Sequence, residues 1–303
     1  MSIRFSILIT TKNRCPELLF TLSSISTLLR RPDVECIICN DGSSDDTMTQ
    51  LQEQYPEIEL IHHPQSIGLI CSRNKLLAKA SGQYAISLDD DAHFLSEHPL
   101  ETIEHTFNTM PHCGVIAFRI YWGTETPSNT INNETQKRVK GFVGCGHAWN
   151  MEAWRSIPDY PDWFIFYGEE DFAAYHLFKK QWQILYVPDI LVQHRVNVSQ
   201  RKKESDYRLR LRRSLRAGWF LMLLFFPMKT IPKRWAYSVW IQLQKRTFKG
   251  DFPGTIAILQ AMADIVIHLP KIIQNTSTLS VQEFVQYNNL KDTPIYWNPA
   301  LTH

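Results

Sequence analysis

Short apolar runs alternate with amphipathic stretches through the first third of the chain. Phe5–Thr10, Val34–Asn40, Ile58–His62 and Tyr84–Leu88 read as buried strands, and Pro16–Leu29, Thr47–Tyr55 and Gly68–Ala80 between them as helices. Strands separated by helices predict a parallel α/β sheet that takes ligands at the carboxyl ends of its strands. Asp41, which opens the turn cluster Asp41-Gly42-Ser43-Ser44-Asp45-Asp46, and Asp89 both fall at such ends. Further on the pattern loosens. Leu100–Met110 predicts a helix and Val115–Ile120 a strand, and Thr124–Lys140 is a long polar loop. Gly141, Gly144 and Gly146 mark a stretch where backbone is expected to approach another group closely. Gly168-Glu169-Glu170-Asp171 opens a helix to about Gln181. Ile184–Val187 is a strand, followed by Pro188 and the segment Ile190-Leu191-Val192-Gln193-His194.

After His194 the composition shifts, which divides the chain into a first domain at 1–198 and a helical region at 199–303. From Arg195 to Gly250 basic residues outnumber the two acidic ones, Glu204 and Asp206. Tyr207, Leu211, Leu215, Trp219 and Met222 recur on one helical face, and Arg208, Arg212 and Arg216 form a ridge on another. The apolar run Trp219–Pro227 is far shorter than the roughly 20 residues of a bilayer span. Two expectations follow for this helix: a peripheral position on an anionic membrane, or packing on the first domain with a solvated arginine face. A further helix is expected over Thr255–Leu269, then a polar tail.

Composition narrows the class. The chain has 303 residues, a net charge of +2, 44% hydrophobic and 20% charged residues. These are the values of a globular protein with room for a full core, and no nucleic-acid recognition motif accompanies them. The opening Met1-Ser2-Ile3-Arg4 leads directly into a strand, so a cytoplasmic protein is expected, possessing reduced thiols at its six scattered cysteines and unglycosylated Asn133 and Asn197. Cys36 and Cys39 form a C-x-x-C within a strand, where residues three apart point to opposite faces, against a metal or redox pair.

Chemistry concentrates at Asp89-Asp90-Asp91. Adjacent carboxylates repel one another unless a cation offsets them, and a strand end fixes their spacing. Fixed carboxylate oxygens suit Mg²⁺ or Mn²⁺, ions that often hold phosphorylated substrates. Glu169-Glu170-Asp171 offers three more carboxylates, more than a helix cap requires.

Taken together, these motifs resemble the family 2 glycosyltransferases of GT-A fold. Ser6-Ile7-Leu8-Ile9-Thr10-Thr11-Lys12-Asn13-Arg14 is similar to the family's first strand and nucleotide loop, with Thr10 in place of the more usual proline. Asn40-Asp41-Gly42-Ser43-Ser44-Asp45 resembles its second-strand motif, and Gly68 to Arg73-Asn74 with Ala78-Lys79-Ala80-Ser81-Gly82 the helix before the metal site. Leu88-Asp89-Asp90-Asp91-Ala92 sits at the D-x-D element, Tyr167-Gly168-Glu169-Glu170-Asp171 at the acceptor-side motif, and Tyr186-Val187-Pro188 with His194 at the segment that closes the site. The resemblance spans Ser6 to His194.

It implies a mixed, mainly parallel sheet flanked by helices and an inverting, metal-dependent transfer of a sugar from a nucleotide-diphosphate donor to a hydroxyl acceptor. The expected acceptor is a cell-surface glycan or lipid-linked intermediate of bacterial polysaccharide type, met at the inner face of the membrane. Donor contacts fall on Thr10, Thr11, Asn13, Arg14, Asp41 (base edge), Arg73 (phosphate), Asp89 (ribose or metal-bound water) and Asp90. Asp91 and His194 are the expected Mg²⁺ or Mn²⁺ ligands. Glu169, Gly146 and His147 are placed on the acceptor side, and either Glu170 or Asp171 is the base. Alternatives are a sugar nucleotidyltransferase, against which Thr10–Arg14 holds no glycine, a D-x-D phosphatase, which Ala92-His93 fits poorly, and a degenerate nucleotide-binding scaffold.

Overall fold

A computed structural model describes residues 2–196 and 206–298. The first four long strands, β1 (Phe5–Thr11), β2 (Val34–Asp41), β3 (Glu59–His63) and β4 (Tyr84–Asp89), alternate with helices α1 (Cys15–Ser24), α2 (Ser26–Leu29), α3 (Thr47–Gln54) and α4 (Leu69–Lys79). Then come β5 (Ala92–Phe94), α5 (Pro99–Thr109), β6 (Cys113–Trp122), β7 (Lys137–Val139), β8 (Gly146–Asn150), α6 (Met151–Arg155), α7 (Glu169–Lys179) and β9 (Gln183–His194). The sheet runs in the order β3-β2-β1-β4-β8-β6-β9-β5, with β7 on β9. Its β3-β2-β1-β4 half is parallel, and β8 enters antiparallel to both β4 and β6. The sheet is therefore mixed, as a GT-A fold requires.

Alternation along each strand divides the core between two sheet faces. Phe5, Ile7 and Ile9 pack in one apolar cluster and Leu8 in the other; Cys36 and Cys39 are parted in the same way. The two cysteines of the C-x-x-C are thus parted by the sheet itself, as expected. Two boundaries differ from expectation. The helix over Pro16–Leu29 is broken at Ile25. Pro188 does not end a strand but lies inside β9. Val187 pairs with Phe118 and Leu191 with Arg119, so a bulge takes up the residues between and no ladder hydrogen bond is asked of the proline.

The C-terminal region contains α8 (Tyr207–Phe225), α9 (Ile231–Lys245), α10 (Phe252–Gln274) and α11 (Val281–Asn288). The division at 198/199 and Asn197 lie outside the described residues. Ala217, Phe220, Leu221, Leu224 and Phe225 of α8 share one apolar cluster with Trp149, Phe164 and Phe172. Of the two expectations for this helix, packing on the first domain is the one seen: its apolar run is core. Its arginine ridge is only partly solvated: Arg208 is exposed, but Arg212 and Arg216 turn to Asp264 of α10. The tail is also more ordered than its polarity implied. A Ser280–Glu283 capping box opens α11, and the chain then returns to the sheet edge, bridging Val139 with Lys291 and Tyr121 with Trp297.

Candidate active site

Strand register builds the acidic centre. β4 ends on Asp89, β5 begins at Ala92, and Ala92 lies opposite His194 in the β5–β9 ladder. The intervening turn therefore sets Asp91 beside the imidazole. His194 Nε2 is 3.0 Å from Asp91 Oδ1 and 3.8 Å from Asp89 Oδ2. One ligand atom from each of Asp89, Asp91 and His194 falls within 4.8 Å of the others. Two carboxylates and one imidazole, with side chains already converging, fit an oxygen-preferring divalent cation such as Mg²⁺ or Mn²⁺. Burial pushes the Asp91 carboxyl up, but His194 and then Arg14 outweigh it and bring the group down to about 2.

Asp90 faces away from that cluster. It accepts a hydrogen bond from Thr11 Oγ1 at 2.9 Å, and Arg14 Nε lies 3.0 Å from it, while its backbone oxygen accepts from Thr21 Oγ1 at 2.7 Å. Burial lifts the Asp90 carboxyl to about 7. Arg14 spans both acids, its Nη2 2.6 Å from Asp91 Oδ2. The triplet's outer members face the cation position, and the middle one anchors the loop after β1.

A cavity of about 960 Å³ opens over the carboxyl ends of β1, β2 and β4, with Thr10, Thr11, Arg14, Asp41, Asp89, Asp90, Asp91 and His194 in its walls. Its size suits a nucleotide with an attached sugar. The Asp41 carboxylate accepts from the Ser66 hydroxyl, from Ile67 N at 2.7 Å and from Gly68 N at 3.1 Å. Burial pushes Asp41 up, but these donors prevail and hold it below the usual carboxylate range. It fixes the loop into α4 while lining the cavity. Asn13, at φ 54°, joins two loops instead: its N–H donates to Ser43 Oγ at 2.9 Å and its side-chain oxygen accepts from Ser44 N at 2.7 Å. It is not among the residues lining the cavity.

Arg73 occupies a different place from the one expected. It is 7% exposed and meets three carboxylates, with Nη1 2.9 Å from Glu169 and 3.2 Å from Glu170, and Nη2 3.1 Å from Asp89. Nη2 also donates to the Gly144 carbonyl at 3.1 Å. Arg73 thus centres an internal ion network. Gly144 makes room for it: a Cβ there would lie 2.0 Å from Glu170 Oε1. The N-cap of α7 is Gly168, which has no side chain, and Glu169 and Glu170 in the first turn both reach Arg73. Burial and the neighbouring Glu170 charge raise the Glu169 pKa. Glu170 keeps part of its side chain open, at 21% exposure. Asp171 is solvent-accessible and has its Oδ1 toward Gly141, while the surrounding protein and then the Glu170 charge raise its carboxyl to about 6. Arg73→Met is expected to lower stability by about 3–5 kcal/mol, since it strands buried carboxylates. Urea unfolding measures this, and a loss below about 1 kcal/mol would contradict the network.

Gly146 and His147 also lie apart from the expected acceptor wall. β8 is sandwiched between β4 and β6, and a Cβ on Gly146 would press on Ile120 at 2.9 Å. His147 is fully buried; its Nδ1 lies 3.1 Å from the Val143 carbonyl and its Nε2 has no hydrogen-bond partner. Burial and then the Arg73 charge bring His147 down to about 3, and burial with Arg195 brings His93 down to about 4. Both rings are expected to stay neutral, with flat NMR ring shifts between pH 8 and 5. A midpoint near 6.5 for either would contradict their placement.

Several wall residues escaped the sequence reading. Arg195, one past the strand end, donates to Thr21 Oγ1 and the Glu17 carbonyl at 2.8 Å and meets His93 Nδ1 at 2.7 Å. Ile165 and Tyr167 hold φ 68° and 71° on the cavity rim, a costly conformation for side-chain-bearing residues that the surrounding fold must enforce. Arg210 and Arg213 of α8 complete the wall. Their spacing of three on one helix was the available signal.

A GT-A sheet with acids at its strand ends places the protein among the glycosyltransferases. The chain matches the family described as Glycosyl transferase family 2 over residues 6–176, more than half its length, and belongs to that family. It is similar to the uncharacterized glycosyltransferase YwdF of Bacillus subtilis (strain 168), 35% identical over 97 residues, which cover 31% of this chain and 35% of that protein. The match thus spans about a third of that relative's length. Its fold is similar to that of GalNAc-T7 with UDP, GalNAc and Mn²⁺ (TM-score 0.60, 15% identity, 89% of this chain and 58% of that one). It is likewise similar to the mannosyltransferase PcManGT from Pyrobaculum calidifontis in complex with GDP-Man and Mn²⁺ (TM-score 0.54, 15% identity, 95% and 79%).

Proposed function

We propose that this chain is a metal-dependent, inverting glycosyltransferase that moves a hexose-type sugar from a nucleoside-diphosphate donor to a hydroxyl of a glycan or lipid-linked acceptor on the cytoplasmic side of the cell. The observation that carries this reading is the convergence of Asp89, Asp91 and His194 at the floor of a nucleotide-sized cavity. A divalent cation bound there would neutralise charge on the departing diphosphate. Asp91 and His194 would hold it, with Asp89 shared between that position and Arg73. Arg14 fixes Asp91 from behind. Thr10, Thr11 and Asp41 border the space for the nucleoside, and Arg213 adds positive charge to the wall facing the acids.

Glu170 is the base in this reading. Of the two candidates, it is the one tied through Arg73 to Asp89. A single carboxylate taking the acceptor proton across from the leaving group gives one displacement and inversion at the anomeric carbon. The test is incubation with a panel of nucleotide sugars with Mn²⁺, with Mg²⁺ or with chelator. Release of nucleoside diphosphate that stops with chelator, giving a sugar of inverted configuration, supports the reading. No metal-dependent release from any donor would leave a nucleotide-binding scaffold in its place.

A further inference from the structure

Helix α10 carries its polarity the wrong way round for a helix on a soluble surface. Toward the protein it presents Gly254, Ala257, Ile258, Ala261, Asp264 and Ile272. Asp264 is 1% exposed and takes hydrogen bonds from Arg212 Nε at 2.8 Å and Nη2 at 2.6 Å, with Arg216 at 3.7 Å. Toward solvent it presents Phe252, Ile256, Leu259, Val266, Ile267 and Ile273, between 43% and 78% exposed. Its one carboxylate is inside and the apolar stripe outside, with Lys271 exposed near its end, the reverse of the ordinary placing of an acid on an amphipathic helix. Such a stripe along 23 residues is more than a soluble monomer normally leaves open.

The stripe continues into aromatic and basic groups. Thr255 Oγ1 donates to Thr247 Oγ1 at 3.0 Å, which fastens the 247–249 turn to the start of α10. Exposed Phe248 of that turn is in ring contact with exposed Trp240 of α9, centroids 5.8 Å apart, and Tyr237 is exposed one helical turn earlier. Between Tyr207 and Gly250 there is no Asp or Glu, whereas Lys233, Lys245 and Lys249 are exposed. Aliphatic stripe, aromatic end and uncompensated cations together match the interfacial zone of an anionic bilayer.

We propose that the outer face of α10, with the Trp240–Phe248 corner, is a membrane-docking surface that lies in the headgroup region of an anionic lipid bilayer. The helix is long and apolar enough to cross a bilayer by length and composition. It lies on the membrane instead, because its inner face is fixed: Ile258 and Ala261 pack with Leu215 and Trp219, and Asp264 is held by two arginines of α8. Crossing would break those contacts and carry a carboxylate into hydrocarbon. Arg212 and Arg216 of α8 hold the docking helix while Arg213 of the same helix lines the cavity, so one rigid element joins the lipid surface to the site.

Sedimentation of the full chain with vesicles tests this, using phosphatidylcholine alone or mixed with phosphatidylglycerol. Binding is expected with phosphatidylglycerol and to weaken as salt is raised. Leu259→Ser with Ile267→Ser should lower partitioning by about tenfold or more. Lys233→Glu with Lys249→Glu should lower it by about the same order. Both pairs are exposed, so folding should survive, and an unchanged melting temperature verifies it. Absence of binding, equal binding to phosphatidylcholine alone, or binding indifferent to both pairs would overturn the proposal. So would a dimer in sedimentation velocity that the Leu259/Ile267 pair dissolves while vesicle binding is unchanged, which assigns the face to a second copy.

Discussion

Glu170→Gln is expected to slow turnover by about 10²–10⁴-fold with little change in KM for the donor. Glutamine keeps the shape and an oxygen for Arg73 but cannot take a proton, so the loss falls on the chemical step. The neighbouring Asp171→Asn should cost less than about threefold, because Asp171 is exposed and directed toward Gly141. Release of nucleoside diphosphate, with water as the acceptor where no other is known, measures both. The opposite ranking would move the base to Asp171 and separate proton removal from the Arg73 network.

Asp91→Asn should weaken Mn²⁺-dependent binding of a nucleoside diphosphate more than about a hundredfold and abolish measurable turnover. The substitution removes a carboxylate that faces His194 on one side and Arg14 on the other. Asp90→Asn serves as the matched comparison. Asp90 faces Thr11 and Arg14, so its loss should loosen the loop after β1 while leaving metal-dependent binding within about tenfold. Calorimetric titration with and without Mn²⁺ distinguishes the two. Equal losses at both positions would mean that the triplet acts as an undivided acidic patch.

The parallel half of the sheet and the acidic centre were legible in the residues because both depend on local order. Buried strands alternate with helices, and Asp41 and Asp89 stand where strands end. His194 could be placed near Asp91 by resemblance, but the reason, Ala92 opposite His194 in the β5–β9 ladder, is a pairing across about a hundred residues that no periodicity shows. The ion network of Arg73 was hidden for a similar cause, because Glu169, Glu170 and the space over Gly144 reach it only through the fold. The basic C-terminal helix left two readings open, and packing on the first domain is the one seen. Its arginines occupy two directions, Arg210 and Arg213 toward the cavity and Arg212 and Arg216 toward Asp264, and sequence spacing cannot say which direction is solvent. The apolar surface expected there lies instead on α10, beyond a helix whose own apolar run is core.

The most direct test of a metal-dependent nucleotide-sugar site is the melting temperature of the wild-type chain across a panel of nucleoside diphosphates and nucleotide sugars, with and without Mn²⁺. Ligand at a hundred times its Kd stabilises by about 2.7 kcal/mol, enough for a rise of several degrees. The account predicts such a rise for diphosphates of one base, present with Mn²⁺ and lost with chelator. A flat response to every nucleotide, or a rise indifferent to the metal, would contradict it.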